Sequence, residues 1–299
     1  MKQYHKIFSD DRAGYFFVLP ALLFMLVFIG YPTLNNIVLS FQDVNVMTIK
    51  SPVKEFIGLQ NYLALLEDPV LGTSVFNTFY YSISCIVLQF VIGFALALLF
   101  NRKFALSKPL RGLLMVAWMI PVTITGLMYK FMFSVNGGIF NELLLNLHII
   151  SKPVEWLIQP TSAMWSLIIA NVWIGIPFNM ILLSTGLTTI PKDIYESANI
   201  DGANAFQKFA GITLPLLKPA IESVLILGFI YTFKVFDLVY VMTQGGPVNA
   251  TEMLSTYSYK LSFTEFNFSK GAAVANVLFV ILFFVSMGYL KLVKEDEVM

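Results

Sequence analysis

Six long apolar stretches, separated by polar or charged segments, set the pattern of this chain. They cover roughly residues 14–39, 75–100, 110–133, 165–187, 220–243 and 271–292. About 20 consecutive apolar residues suffice for a helix to cross the hydrocarbon core of a bilayer. The pattern therefore predicts an all-α integral membrane protein with six spans over 14–292, flanked by short tails at 1–13 and 293–299. Lone prolines interrupt several runs, at Pro20, Pro121 and Pro177. Membrane helices tolerate them because neighbouring groups or water can satisfy the freed carbonyl. The first run continues through Gly30-Tyr31-Pro32 toward Phe41 without a small-residue cleavage pattern. It reads as a retained span rather than a signal peptide.

Composition agrees with this reading. The 299 residues are 57% hydrophobic and only 12% charged, where soluble domains carry about 25% charged residues. A formal charge of +1 provides no basic field for nucleic acid. Cys85 is the sole cysteine, and the two histidines, His5 and His148, lie far apart in sequence. These counts rule out an intrachain disulfide and argue against a metal centre. No paired carboxylates or nucleophile motif suggest a membrane enzyme.

The basic residues orient the spans. With the N-terminus in the cytoplasm, the inner segments hold 12 Lys and Arg residues, among them Arg102, Lys103, Lys108 and Arg111. The outer segments hold five: Lys50, Lys54, Lys152, Lys260 and Lys270. This bias predicts that both termini are cytoplasmic. Two outer stretches, near Leu59–Leu66 and Asn141–Leu147, read as short surface helices. They would either contact an external partner or simply cover the helix ends.

The connection between spans four and five, 188–219, is then cytoplasmic and longer than a link requires. Pro191 suits the first turn of a helix, and Asp193 and Glu196 suit its positive end. Asp201-Gly202 predicts a break, with Asp201 capping a second short helix through Ala203, Phe206 and Ala210. Pro215 and Pro219 should end the segment. An amphipathic helix lying on lipid would show a broad apolar face and a Lys/Arg-rich polar face. Here the apolar face is narrow and rich in alanine, which also suits close approach by another protein.

The residue pattern goes further. Glu196-Ser197-Ala198, three residues, Gly202, nine residues, then Ile212-Thr213-Leu214-Pro215 resembles the "EAA" loop, E-A-A-x3-G-x9-I-x-L-P. That loop belongs to the membrane subunits of binding-protein-dependent ABC importers; Ser197 in place of the first alanine is the single departure. Asn171-Val172-Trp173-Ile174-Gly175-Ile176-Pro177-Phe178, Thr243-Gln244-Gly245-Gly246-Pro247 and Gly271-Ala272-Ala273-Val274-Ala275 resemble segments of the sugar-importing, MalF- and UgpA-like branch.

The resemblance implies a six-helix type I (MetI-like) importer domain in the bacterial plasma membrane. It implies a second homologous permease subunit, two ABC ATPase subunits below and an extracellular solute-binding protein above. ATP and Mg would be bound by the ATPases, and no cofactor by this chain, which has no G-x-x-x-x-G-K-[ST] loop. Glu196, Ser197, Ala198, Asp201, Gly202, Ala203 and Phe206 would dock in the ATPase. Asn171, Gly175 and Phe178 of span four, with Gly228, Tyr231 and Thr232 of span five, match positions that line the family's sugar site.

Several of these positions have a plainer reading. Asn171 and Asn179 could hydrogen-bond between helices. Gly175 with Pro177, by contrast, would allow a break in span four near mid-membrane that exposes backbone groups to a ligand. Lys234 and Asp237, three apart on one expected helix face, could neutralise each other or meet the sister permease. The alternative function is an ion-coupled secondary transporter of a small polar solute, with Asp237 or Glu222 as proton relay. The absence of a visible inverted repeat argues against it.

Overall fold

The computed structural model describes residues 11–102 and 104–296. Most of the two expected tails, 1–10 and 297–299, and Lys103 lie outside the described residues.

Among the described residues the regular elements are helices, apart from two isolated β-bridges. The first span consists of α1 (Asp11–Met25) and α2 (Tyr31–Ser40), joined by a π-turn over Leu26–Gly30. Next come α3 (Gln60–Leu66) and the long α4 (Pro69–Asn101). Span three is α5 (Ser107–Met119) followed by α6 (Val122–Met132). The short helix α7 (Ile139–Asn146) precedes α8 (Pro160–Thr189). The 188–219 connection holds α9 (Lys192–Ile200) and α10 (Ala205–Lys208), and a π-turn over Phe209–Thr213 leads into α11 (Leu214–Phe233). The chain closes with α12 (Asp237–Met242), α13 (Leu254–Tyr259), a π-turn over Lys260–Thr264 and α14 (Phe268–Asp296).

Among the described residues, five helical segments are long and apolar enough to cross a membrane: Phe17–Ser40, Pro69–Asn101, Pro160–Thr189, Ala205–Phe233 and Phe268–Tyr289. The bent pair α5 and α6 is a sixth if counted as one span. Short helices do form near Leu59 and Asn141, as α3 and α7.

The interruption expected at Pro121 is a sharp bend: α5 and α6 meet at 97°, with Ile120 and Pro121 both extended between them. Three other expectations about continuity need correction. Span four is unbroken, because α8 runs through Gly175 and Pro177. Span five ends at Phe233 rather than Thr243; Lys234 caps α11, and α12 begins anew at Asp237. Pro215 and Pro219 do not end the loop but lie within α11. Proline lacks an N–H, and its ring collides with the carbonyl four residues back. For Pro215 that carbonyl belongs to Gly211, inside the π-turn, whose wider winding displaces it. Pro32 follows the Leu26–Gly30 π-turn in the same relation.

The described chain forms two compact units, one from the segment up to Glu67 with Ser258–Val277, the other from Asp68–Tyr257 with the segment from Leu278. In the first, side-chain amides and hydroxyls knit the C-terminal end of span one to the start of α14. Asn36 Nδ2 donates to Asn276 Oδ1 at 2.8 Å, and Asn276 Nδ2 donates to Ser40 Oγ at 2.9 Å. Ser40 Oγ also meets the Tyr62 hydroxyl at 2.8 Å. In an apolar surrounding such groups must find partners within the protein.

The second unit is centred on α8, which packs along α4 and also against α5, α6 and α11. Close approach is possible because α4 presents Gly93 where a Cβ would come within 2.6 Å of Asn179 Cβ. One apolar core gathers Tyr81, Leu167, Ile168, Leu238 and Met253. A second, with Ala97, Leu183, Leu187, Leu217 and Val224, supports the 188–219 loop. Asp68 caps α4 by accepting from Val70 N at 2.9 Å, with Pro69 in the first turn. The Thr243–Pro247 turn carries a cis Gly246–Pro247 bond, and Asn77 Nδ2 holds the chain beyond it by donating to the carbonyls of Ala250 and Glu252, both at 3.1 Å.

Candidate functional site

The 188–219 loop is two short helices around a glycine corner, as its sequence predicts, but its caps are placed differently. Pro191 is the N-cap of α9 rather than a residue of its first turn. Asp201 closes α9 and does not cap the second helix. Gly202 is left-handed, with φ +77°, and its N–H donates to Asn199 O at 3.1 Å while Ala203 N donates to Ala198 O at 2.9 Å. This pair of bonds is the Schellman closure, which favours glycine at the turn because a Cβ is strained there. Ala203 therefore lies outside the second helix, which starts at Ala205. Its cap is Asn204: Gln207 N donates to Asn204 Oδ1 at 2.9 Å, and Asn204 N donates to Gln207 Oε1 at 2.8 Å.

Two longer bonds fasten the corner. Lys208 Nζ donates to Asn199 Oδ1 at 2.7 Å, joining α10 to α9. The hydroxyls of Tyr195 and Thr213 meet at 2.9 Å, joining α9 to the π-turn. Tyr195 also packs on the core of Leu183, Leu187 and Leu217, and the Phe209 ring sits 5.9 Å from that of Phe94. The rest of the loop faces outward. No α9 residue is buried, Ile200 is 88% exposed and Phe206 is 76% exposed. Glu196, Ser197, Asp201 and Gly202 are exposed, and Ala198 and Ala203 half-buried. An ion pair, Lys218–Glu222 at 3.7 Å, lies just beyond, in α11.

The span-four and span-five candidates come together elsewhere in the same unit. Asn171, Gly175, Phe178, Gly228, Tyr231 and Thr232 all line one cavity of about 410 Å³. Its walls also include Gln89 of α4, Trp118 and Val122 on either side of the span-three bend, and Lys234 and Asp237 beyond the end of α11. Both helix breaks thus open onto the cavity. Three aromatic rings succeed one another along it. Trp118 and Phe178 stack with centroids 6.1 Å apart, and Phe178 meets Tyr231 edge-on at 6.2 Å. Lys234 Nζ lies 5.3 Å from the Tyr231 ring centroid, within cation–π range.

The expected Lys234–Asp237 pairing is not formed: the two residues belong to different elements, and no ion pair joins them among the described residues. Thr232 is buried and donates to the Gly228 carbonyl of its own helix at 2.7 Å. Asn179 is buried and donates to Gly175 O in its own helix at 2.9 Å. Asn171 does bond between helices, accepting at Oδ1 from Gln89 Nε2 at 2.7 Å.

Gln89 and Trp118 were not among the sequence candidates. Gln89 was visible as an amide midway along the second apolar run, which carries Asn77 near its start. Trp118 carried no local signal, because its approach to Phe178 depends on α5 packing against α8.

An arrangement of stacked rings, amides and one charge of each sign can bind a polar, hydroxyl-bearing solute.

Comparison with known proteins gives this geometry its context. Residues 89–293 match the family model of the binding-protein-dependent transport system inner membrane component. The chain is 36% identical over 288 residues to the trehalose/maltose transport system permease protein MalF of Thermococcus litoralis, covering 95% of this chain and 94% of that protein. It is 32% identical to the sulfoquinovosyl glycerol transport system permease protein SmoG of Agrobacterium fabrum, covering 97% and 92%. A solved bacterial alginate ABC transporter, in complex with alginate pentasaccharide-bound periplasmic protein, contains a chain of the same fold. The TM-score is 0.80 at 21% identity, over 96% of each chain. The chain thus has the ABC importer permease fold and is a multi-pass inner membrane protein without ATPase activity of its own. It belongs to the family of binding-protein-dependent ABC transporter permeases.

Proposed function

We propose that this permease subunit forms half of the translocation path for a carbohydrate, an oligosaccharide or related sugar, released to it by an extracellular solute-binding protein. Two ATPase subunits drive it by gripping the 188–219 loop, and they, not this chain, bind ATP and Mg. A second homologous permease completes the path. The membrane is the bacterial plasma membrane, with both termini and the loop on the cytoplasmic side.

The observation that carries the sugar assignment is the convergence of Asn171, Phe178, Tyr231 and Trp118 on one cavity. Sugars offer hydroxyls to amides and apolar ring faces to aromatics, and this wall offers both. The trehalose/maltose and sulfoquinovosyl glycerol permeases among its relatives support the same class. Trp118 and Tyr231 remain 51% and 61% exposed, which suits a path whose other wall belongs to a sister subunit. The exposed, locally rigid corner at Gly202 suits a docking element.

The test is reconstitution of the four kinds of subunit in proteoliposomes, followed by uptake of radiolabelled maltose, trehalose and longer glucans. ATP-dependent uptake that requires the binding protein is expected. Uptake by this chain without the ATPase subunits, driven by an ion gradient, would replace the proposal with secondary transport.

A further inference from the structure

We infer that Gln89 is a positioning residue that fixes the hydrogen-bonding polarity of the solute cavity, by holding Asn171 with its amide NH₂ turned toward the solute. The inference deepens the carbohydrate reading above and rests on it for the identity of the solute.

Gln89 is 4% exposed and lies on α4, facing α8. Its Nε2 stands 3.1 Å from the backbone carbonyl of Asn171 and 2.7 Å from Asn171 Oδ1. The carbonyl decides the orientation of both amides. A backbone oxygen can only accept, so the Gln89 atom beside it must be the NH₂ group. That NH₂ has two hydrogens, and the second points at the Asn171 side chain. The Asn171 atom it meets must then be the oxygen. The Nδ2 of Asn171 is left over. It has no hydrogen-bond partner among the described residues, and Asn171 lines the cavity.

Gly175 explains how the pairing is packed. A Cβ at Gly175 would come within 2.2–2.4 Å of the Gln89 carboxamide atoms. The amide of Gln89 therefore lies flat against α8 in the space a side chain would take. Glycine at 175 serves that contact rather than a break in span four.

The chemistry is a direct consequence. At this point the cavity presents a donor, so the solute must present an acceptor: a hydroxyl oxygen or a ring oxygen with an unused lone pair. A carboxylate at position 89 would reverse the polarity, because it would be repelled by the Asn171 carbonyl and attract the Asn171 NH₂. The side chain would then turn its oxygen to the cavity and ask the solute for a donor. Asn171→Asp would present an acceptor by a more direct route.

The assembled transporter in proteoliposomes provides the test. Uptake of radiolabelled maltose is measured in competition with deoxy and deoxyfluoro maltose analogues substituted at each hydroxyl in turn. Fluorine accepts weakly and cannot donate. Each variant is compared with the wild-type chain alongside the same binding protein, so selectivity changes report on this subunit. At one hydroxyl position, the wild type is expected to keep the fluoro analogue and reject the deoxy one. Gln89→Glu and Asn171→Asp should both lower preference for that fluoro analogue, by about five- to tenfold. Gln89→Leu should flatten the discrimination without reversing it. Unchanged analogue ratios in Gln89→Glu would overturn the inference even if overall uptake falls.

If the wild-type complex imports no sugar, the carbohydrate reading fails by itself. Thermal unfolding of the detergent-purified complex then decides the contact. Gly175→Ala should lower the midpoint by a few degrees, and the Gln89→Ala/Gly175→Ala double variant should recover most of it. Strict additivity of the two changes would overturn the pairing.

Discussion

The loop corner around Gly202 and the cavity around Asn171 are built on opposite principles. In the corner the fastening groups are near neighbours: Ala198 with Ala203, Asn204 with Gln207, Asn199 with Lys208. Its shape is set by caps, and its apolar side chains, Ile200 and Phe206, are left outside. In the cavity the decisive bond joins Gln89 to Asn171, 82 residues apart, and the rings come from three different helices. The first region keeps its geometry with nothing packed over it. The second exists only because distant helices meet. Local rigidity suits the docking role proposed for the corner, and walls that separate without unfolding suit the proposed solute path.

The contrast can be broken most severely at the corner. Gly202→Asp places a side chain at φ +77° in an exposed turn, where the strain costs on the order of 1 kcal/mol and the membrane fold has no stake. ATP-driven uptake should fall by about tenfold or more, the equivalent of at least about 1.4 kcal/mol of lost coupling. Assembly and thermal stability of the purified complex should barely change. Normal coupling in this variant would refute docking through the corner.

A change in the cavity should have the reverse signature. Phe178→Ala removes the ring between Trp118 and Tyr231. Aromatic pairs contribute about 0.5–1.5 kcal/mol beyond area, so the apparent KM for the transported solute should rise about five- to tenfold while basal ATP hydrolysis persists. A fall in maximal rate at constant KM would place Phe178 outside the solute's path.

The smallest effect separates shape from grip. Asn204→Ala removes the capping box, at a cost of about 1 kcal/mol, and should raise amide exchange at Gln207 while lowering coupled uptake only a few-fold. Unaltered exchange there would mean that the π-turn and Tyr195, not the cap, hold the second helix.

Legibility in the sequence divides along the same line. The spans were legible because apolar runs are a local property. The corner was legible because Glu196, Gly202 and Leu214-Pro215 sit at fixed offsets within one segment. Its details were missed where two caps compete: Asp201 and Asn204 are both good caps, and only Asn204 has Gln207 three residues on to complete the box. The breaks were harder. Pro121 and Pro177 look alike in sequence, yet α8 is continuous through Pro177 and span three turns by 97° at Pro121. The difference lies in what each side packs against: α5 lies on α8, whereas α6 packs chiefly on α12. Lys234 and Asp237 share a face only if the helix continues, and it stops at Phe233. The pairing of Gln89 with Asn171 had no local trace beyond an amide in an apolar run.

The unbroken helix from Ala205 to Phe233 ties these observations to motion. Its 29 residues span about 43 Å at 1.5 Å per residue. Its foot is bolted to the corner through Lys208 and Thr213, and its tip carries Gly228, Tyr231 and Thr232. Tilting such a lever by about 5° displaces the far end by about 4 Å, more than the width of a carbon atom. A tilt of that size would be enough to change the Tyr231–Phe178 contact without unwinding the helix that carries Tyr231.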